Sequence, residues 1–334
     1  MTEPAKPTPK KKKPTAKKAG LFYAVLALAL TIVALIRFVP FQTPFPFAAL
    51  ESLAFWVLGP AYVLAPIALW RGHRRIAAWL AVIALVHLGW TLEWLPRIED
   101  GSASTPLVRM LDANLLAPRP SEALADEILA ADADVLALQE VSHEWLALLD
   151  ARGARERYPF RVAEPHTLDH DYFGIAILSR RPFVDARIEH LPGVDFCPIA
   201  RADLEIDGRT VRVYSLHTGP PATAAWGAVW MQQMEWLDAR FAEDVAQSDV
   251  LIAMGDFNMS PYSFGHRRLR ALGLSEAHEA VGRGMAVTWP NGMFPAPAMR
   301  LDHAYVHGAA IRSVRELPAH SSDHSPILIE LGAL

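Results

Sequence analysis

Apolar positions follow two different rhythms along this chain. In residues 21–39, 52–70 and 76–95 they run almost unbroken, and between 21 and 95 the only full charges are Arg37, Glu51, Arg71, Arg74, Arg75 and Glu93. Each stretch is close to the roughly 20 apolar residues with which a helix crosses a bilayer core, so the pattern predicts three transmembrane α-helices. A cleaved signal peptide does not fit the first stretch: its apolar run is too long for an h-region, no clear small-residue cleavage site follows, and two more spans come after it. Beyond residue 106 the rhythm changes to short runs with polar punctuation. Strand-type runs occur at 107–114, 135–139, 174–179, 183–191, 250–254, 301–306, 311–317 and 326–331. A hairpin joins 202–206 to 210–217 through Asp207-Gly208, a dipeptide suited to a two-residue turn. Helical spacing occupies 120–131, with Ser121 near its start, and 226–245. Strands outnumber helices but interleave with them. This predicts an α/β fold, a two-sheet β-sandwich flanked by helices and preceded by the three spans. The expected organisation is a basic tail at 1–20, transmembrane helices at 21–95, a polar linker at 96–106 and one catalytic domain at 107–334.

Charge divides the chain in the same place. All seven lysines lie at or before Lys18, whereas from Arg97 onward there are 21 Arg and no Lys against 33 Asp plus Glu, a net charge of −12. The overall −4 thus combines a basic tail with an acidic domain. A duplex-binding surface needs cations to neutralise phosphates, so nucleic acid is disfavoured as the substrate. Lys and Arg beside a span tend to stay in the cytoplasm. Lys6, Lys10, Lys11, Lys12, Lys13, Lys17 and Lys18 precede the first span, and Arg71, Arg74 and Arg75 separate the second from the third. The 40–51 loop has neither residue type and is expected outside. An odd number of spans then places everything after Pro96 outside. The expectation is a multi-pass protein of the cytoplasmic (inner) membrane with a cytoplasmic N-terminus and an extracytoplasmic catalytic domain. Trp56, Trp70, Trp79, Trp90 and Trp94 near span ends suit interfacial anchoring. The single cysteine, Cys197, excludes an intrachain disulfide and a Cys-rich metal site.

Polar residues interrupt the apolar strands at their ends. Asn114 closes the first strand, Glu140 the second and His217 the hairpin; Asp256 and Asn258 close another, Asp302 lies in a strand, and Asp323-His324 precede the last. One Asp or Asn after a strand is usually a turn former. Together these positions supply hard oxygen ligands for Mg²⁺ or Mn²⁺ and two imidazoles for proton transfer or phosphate contact, which is what phosphate-ester hydrolysis needs.

From residue 107 to the end, the chain resembles the endonuclease/exonuclease/phosphatase superfamily, the DNase I-like group that includes abasic-site endonucleases, inositol polyphosphate 5-phosphatases and neutral sphingomyelinases. The likeness rests on Asn114, Gln139-Glu140, the 174–180 strand, Leu216-His217, Gly255-Asp256-Phe257-Asn258, Leu301-Asp302-His303 and Ser322-Asp323-His324, in that order. The resemblance implies that Glu140 is the principal metal ligand, assisted by Asn114 and, directly or through water, by Asp323. It implies that Asp256 orients or deprotonates the attacking water, that Asn258 and His217 hold phosphoryl oxygens and support leaving-group protonation, and that Asp302 fixes His324 against the phosphate. Leu116 stands where some nucleases of the group carry an acidic ligand, which weakens the abasic-endonuclease reading and leaves one or two metals open.

The layout of three spans before an outward-facing domain also resembles bacterial membrane proteins linked to glycopeptide resistance, regarded as polyprenyl pyrophosphate phosphatases. A domain tethered to a bilayer meets head groups at high effective concentration. The expected partners are therefore a lipid membrane and a lipid-linked or small phosphorylated substrate. An envelope nuclease, a phospholipid (sphingomyelinase-like) phosphodiesterase and a catalytically idle phosphate sensor are the alternatives; retention of every ligand position speaks against the last. Two segments are candidates for lipid contact: Trp226, Trp230, Met231, Met234 and Trp236, whose spacing also suits a helix packing on the core, and the Pro/Gly-rich 289–299 segment with Trp289, Met293, Phe294 and Met299.

Overall fold

The computed structural model describes residues 15–38, 45–92, 94, 108–166, 172–291 and 297–332; most of the basic tail, the 96–106 linker, and Met293 and Phe294 lie outside the described residues. The apolar N-terminal region forms α1 (Thr15–Ile36), α2 (Phe47–Ser52), α3 (Ala54–Leu58), α4 (Pro60–Trp70) and α5 (Arg74–Leu92). Two helical segments, Lys18–Ile36 and Arg74–Leu92, are long and apolar enough to cross a membrane. The second expected span is not a single helix starting at residue 52. Leu53 leaves helical geometry at φ −89° and ψ 2°, which ends α2 early and leaves Ala54–Trp70 as a shorter apolar segment. The chain doubles back on itself: Tyr23 near the start of α1 meets His73 in the α4–α5 turn, ring centroids 5.8 Å apart.

Twelve strands form two six-stranded sheets among the described residues. The first contains β1 (Val108–Asn114), β2 (Val135–Gln139), β3 (Phe160–Glu164), β4 (Ile175–Ser179), β11 (Ile311–Glu316) and β12 (Ile327–Leu331), in the spatial order β11-β12-β1-β2-β4-β3. The second contains β5 (Phe183–His190), β6 (Pro198–Ile206), β7 (Arg209–His217), β8 (Val250–Asp256), β9 (Ser275–Glu276) and β10 (Asp302–His307), in the order β5-β6-β7-β8-β10-β9. The β6–β7 hairpin turns where expected, with Asp207 and Gly208 at φ 51° and 75°, the positive values a type I′ turn requires. Alternate side chains such as Met110, Val135, Ile177, Val213, Ile252 and Ile329 fill the space between the sheets. The opposite faces pack under helices, as the sandwich reading anticipates.

On the first sheet lie α6 (Glu122–Ala130), α7 (His143–Ala151) and α8 (Ala154–Arg157), with Ser121 and Ser142 capping the first two by accepting from Leu124 and Trp145 backbone N–H groups. On the second lie α9 (Ala224–Gln247) and α10 (Phe264–Ala271); the single turn α11 (Ala277–Ala280) follows β9. The apolar stripe of α9 turns inward. Trp230, Met234, Leu237 and Phe241 are buried and Trp226, Met231 and Trp236 pack against them, so this stripe belongs to the core and not to a lipid-facing surface.

The two parts of the chain are bolted together through α2. Ala48 is buried among the side chains between α9 and the second sheet. Glu51 Oε1 lies 2.9 Å from Arg267 Nη2 and its Oε2 accepts from the Phe264 N–H at 2.9 Å. Trp94 closes the joint by packing on Gly284, where an added Cβ would come within 2.3 Å of the Trp94 Cβ.

Candidate active site

Strand direction explains why distant polar residues converge. β1 and β2 run parallel, as do β7 and β8, so Asn114, Glu140, His217 and Asp256 at or just beyond their C-terminal ends share one edge of the sandwich. The antiparallel neighbours β10 and β12 start at that edge. Asp302 is register-paired with Asp256, and Asp323 and His324 lie in the turn leading into β12. Sheet register brings β7 and β8 so close at Gly255 that a Cβ would sit 1.9 Å from the Leu216 carbonyl oxygen; at φ +149° only glycine fits. Glu140 and Asn258, each just past a strand, adopt left-handed φ values of 54° and 47°. Such backbone conformations are uncommon outside glycine and gather at functional sites.

All eight expected site residues lie along this edge, and hydrogen bonds or close contacts link seven of them. Asn114 Nδ2 donates to Glu140 Oε1 at 3.0 Å and to Asp256 Oδ2 at 3.3 Å. The Ala117 N–H donates to Glu140 Oε2 at 3.2 Å. His217 Nε2 and His324 Nε2 approach the same Asp256 oxygen at 3.5 and 3.6 Å. His324 Nδ1 donates to Asp302 Oδ2 at 2.8 Å, and the Asn258 N–H donates to Asp256 Oδ1 at 2.8 Å. Asn258 Nδ2 spends one hydrogen on the Thr218 carbonyl at 2.7 Å, which fixes the amide with a second hydrogen to spare. Asp323 is held separately, its Oδ2 accepting from Trp289 Nε1 at 3.1 Å.

The environment splits the titratable groups. Burial pushes the Glu140 and Asp256 carboxyls up to about 7. Burial, with the nearby His324, drives His217 down to about 3, so that ring is neutral. Burial also opposes charge on His324, but Asp302 and Asp256 outweigh it and raise the imidazole to about 10. One neutral and one cationic imidazole therefore face one carboxylate.

The donors fit a hard divalent cation. Asp256, Asp302 and His324 each bring a ligand atom within 4.8 Å of the others. However, Asp302 Oδ2 and His324 Nδ1 already satisfy each other, and a cation between them would break that pair. Among the described residues Glu140 is held by an amide and a backbone N–H, leaving lone pairs free, so the position beside Glu140 is the better seat. Carboxylates outnumber cations here, and buried Asp302 Oδ1 has no hydrogen-bond partner among the described residues. Asn114 differs from the expected orientation. Its NH₂ faces the carboxylates and its Oδ1 accepts from the Leu116 N–H at 3.1 Å, so ligation through Oδ1 requires a half-turn of the amide.

Asp112 escaped the sequence reading. It lies on the same face of β1 as Asn114, fully buried, and receives Gln139 Nε2 at 2.8 Å. The same Nε2 donates to Ser215 Oγ at 3.0 Å, so the trio ties the sheets together beneath the site. Burial, with Asp302 and Asp256 nearby, pushes Asp112 well above the usual carboxylate range. The available signal was the two-residue spacing from Asn114. Phe173 also belongs to the rim: its ring lies 4.7 Å from that of His217 and stacks on Trp226 at 5.7 Å.

A two-sheet sandwich carrying carboxylates and imidazoles along one edge defines a DNase I-like phosphoesterase architecture. The chain belongs to the Endonuclease/Exonuclease/phosphatase family, whose sequence profile matches residues 108–324, and it is accordingly a metal-dependent phosphoester hydrolase. Similar solved structures include humanized D. rerio TDP2, at 14% identity and TM-score 0.55 over 68% of this chain and 99% of that one. The human nocturnin catalytic domain with bound sulfate is 21% identical, with TM-score 0.54 over 67% and 94% of the two chains. An endonuclease/exonuclease/phosphatase from Beutenbergia cavernae is 17% identical, with TM-score 0.51 over 68% and 72%. At these identities the likeness speaks for the fold. Comparison with curated proteins gave no match.

Proposed function

We propose that this chain is a Mg²⁺- or Mn²⁺-dependent phosphatase of the inner membrane that hydrolyses a lipid-linked phosphate or pyrophosphate on the extracytoplasmic side, as the glycopeptide-resistance-associated membrane phosphatases are regarded as doing. The organisation proposed is a basic tail at 1–20, membrane helices at 21–95, a linker at 96–106 and a catalytic domain at 107–334. One observation carries the lipid reading: two segments flanking the site touch the apolar helices. Residues 260–267 follow the Asp256–Asn258 turn and contact α2, α5 and Arg37 just past α1; residues 284–287 and 298–300 precede Asp302 and contact Trp56 and Trp94.

Surface pattern supports the membrane assignment. Leu21, Leu28 and Leu35 on α1 and Val82 and Leu85 on α5 each expose about half or more of their surface. A helix packed in a soluble core does not present such a face. The α4–α5 turn with Arg71, Arg74 and Arg75 lies beside the start of α1, at the end of the helices away from α2 and its contacts with the domain. That arrangement agrees with basic segments inside and the domain outside.

In the proposed chemistry, Glu140, assisted by Asn114 and Asp323, holds the cation, which offsets charge on the phosphoryl oxygens when bound. Asp256, with a carboxyl near 7, takes a proton from the attacking water, close to the optimum for a base at neutral pH. His324 presents positive charge and a proton toward the phosphate, while Asp302 fixes its tautomer through Nδ1. His217 and Asn258 donate to phosphoryl oxygens and support departure of the leaving group.

The test is turnover of polyprenyl pyrophosphate, p-nitrophenyl phosphate, sphingomyelin and plasmid DNA by the full chain in nanodiscs, with Mg²⁺ and with EDTA. The lipid pyrophosphate is expected to give the highest kcat/KM, and EDTA to remove it. Preferred cleavage of plasmid or sphingomyelin would replace the reading with an envelope nuclease or phospholipid phosphodiesterase.

A further inference from the structure

A crevice runs between α3 and the catalytic domain. Its volume is about 90 Å³, and Phe55, Trp56, Trp94, Tyr262, Ala286 and Met299 are among its walls. Three features mark it as more than an imperfect joint. First, its wall is continuous with the packed interior of the N-terminal helices, since Trp94 and Tyr262 belong to the same apolar cluster as Leu58 and Leu80. Second, its mouth carries Met285 and Val287, which are 47% and 42% exposed although most large apolar side chains of this domain are buried. Third, the crevice lies one β-bridge from the active site. Met299 lines it and is bridged to Trp289 by two backbone hydrogen bonds of 2.6 and 2.9 Å, and Trp289 Nε1 holds Asp323. The Trp56 indole Nε1–H ties the outer wall to the Ala298 carbonyl at 2.8 Å. Aromatic residues at the domain end of apolar helices occupy the level where a bilayer meets water.

We infer that this crevice receives the phosphate-proximal carbons of the lipid substrate's hydrocarbon chain while the phosphate sits among Glu140, Asp256 and His324. The inference rests on the lipid-phosphate reading above and adds where the chain goes. Size limits the occupant. Dry cavities of about 150 Å³ hold a single benzene, so this one accepts about one isoprene unit, and the rest of the chain leaves past Met285 and Val287 into the bilayer. Among the described residues the walls carry no charged group that would pair with a second head group, apart from Arg300, whose guanidinium is already engaged by Glu276, Glu279 and the Gly284 carbonyl.

Photolabelling tests the assignment separately from catalysis. The full chain in phosphatidylcholine nanodiscs, with Mg²⁺, is irradiated with the non-hydrolysable farnesyl phosphonate bearing a diazirine on its first isoprene unit, and in parallel with farnesol bearing the same group. The phosphonate is expected to label peptides containing Phe55–Trp56 or Gly284–Val287 at least fivefold more than farnesol does. Ala286→Phe should lower that labelling at least fivefold while p-nitrophenyl phosphate turnover in Mg²⁺ stays within twofold of wild type. Labelling elsewhere in the chain, equal labelling by farnesol, or labelling unchanged in Ala286→Phe overturns the crevice assignment. Peptide mapping of the unsubstituted protein decides the matter even if that variant misfolds. Crevice labelling without hydrolysis of farnesyl phosphate in Mg²⁺ leaves the crevice standing and defeats the lipid-phosphatase reading; hydrolysis without crevice labelling does the reverse.

Discussion

Asp302 Oδ2 accepts the Nδ1 proton of His324 at 2.8 Å, which turns the other ring nitrogen toward Asp256 at 3.6 Å. The pair comes from two sheets: Asp302 begins β10, and His324 leads into β12. Asp302→Asn keeps an acceptor of the same shape and removes the charge. His324 is expected to titrate well below its present value of about 10, and kcat/KM to fall by about 10²–10⁴, the usual range for a positioned acid or base. Imidazole NMR of the variant alongside steady-state rates checks both. Unchanged titration with lost activity would mean that Asp302 acts by packing and not by charge.

Metal loading should carry protons with it. Burial holds the Glu140 and Asp256 carboxyls near 7, and a cation requires the ionised form, so binding at neutral pH displaces protons. Mg²⁺ affinity is expected to rise from pH 6 to pH 8. Calorimetry in buffers of different ionisation enthalpy should show proton release near pH 7, and Glu140→Gln should abolish most of it. An affinity flat across that interval would contradict the assignment of Glu140 as ligand.

The sequence made strand ends legible because a short continuous apolar run that stops at a carboxylate is a local signal. Thus 135–139 with Glu140 and 250–254 with Asp256 were readable, and so was the Asp207-Gly208 turn. Features created by distant contacts were not. Asp112 is one acid within a strand until Gln139 and Ser215 from other strands surround it. The break at Leu53 follows from α2 docking on the domain through Ala48 and Glu51, a contact spanning more than 150 residues, and hydropathy alone reads straight through it. β3 and α10 went unread because each is short and its polarity suits a surface turn as well as an element.

Acid stability should depend on a cluster far from the catalytic edge. Asp203 on β6 is hydrogen-bonded by Arg201 and Arg212, and Arg212 also pairs with Asp244 on α9. Burial would raise the Asp203 carboxyl, but the two arginines outweigh it and hold it below 3.8. A depressed folded value contributes stability that is complete above the unfolded value of 3.8 and is lost as pH falls through the lower folded value. Asp203→Asn is therefore expected to destabilise the chain by about 3 kcal/mol at pH 7, the lower end for a broken buried pair, because Arg201 loses its nearest carboxylate while Arg212 keeps Asp244. It should also flatten the pH dependence of denaturant melts below about pH 4. An unchanged acid slope would show that Asp203 is not the group responsible.

Glu51 is, among the described residues, the one carboxylate of the N-terminal region placed against the catalytic domain, and its burial makes the joint testable. Arg267 reaches it from α10 while also donating to the Tyr262 and Arg37 carbonyls, so one guanidinium gathers α1, α2 and the loop after the active site. Arg267→Met strands the Glu51 charge. The loss is expected near the lower end for a broken buried pair, about 2–3 kcal/mol, because 27% of the Arg267 side chain is open to solvent. Glu51→Gln removes the stranded charge in turn, so the double variant should be more stable than the Arg267→Met single variant, a coupling that thermal melts in nanodiscs can resolve. Strict additivity would mean that the two side chains share a location without sharing energy. The joint would then rest on the packing of Ala48, Trp94 and Tyr262 and not on this ion pair.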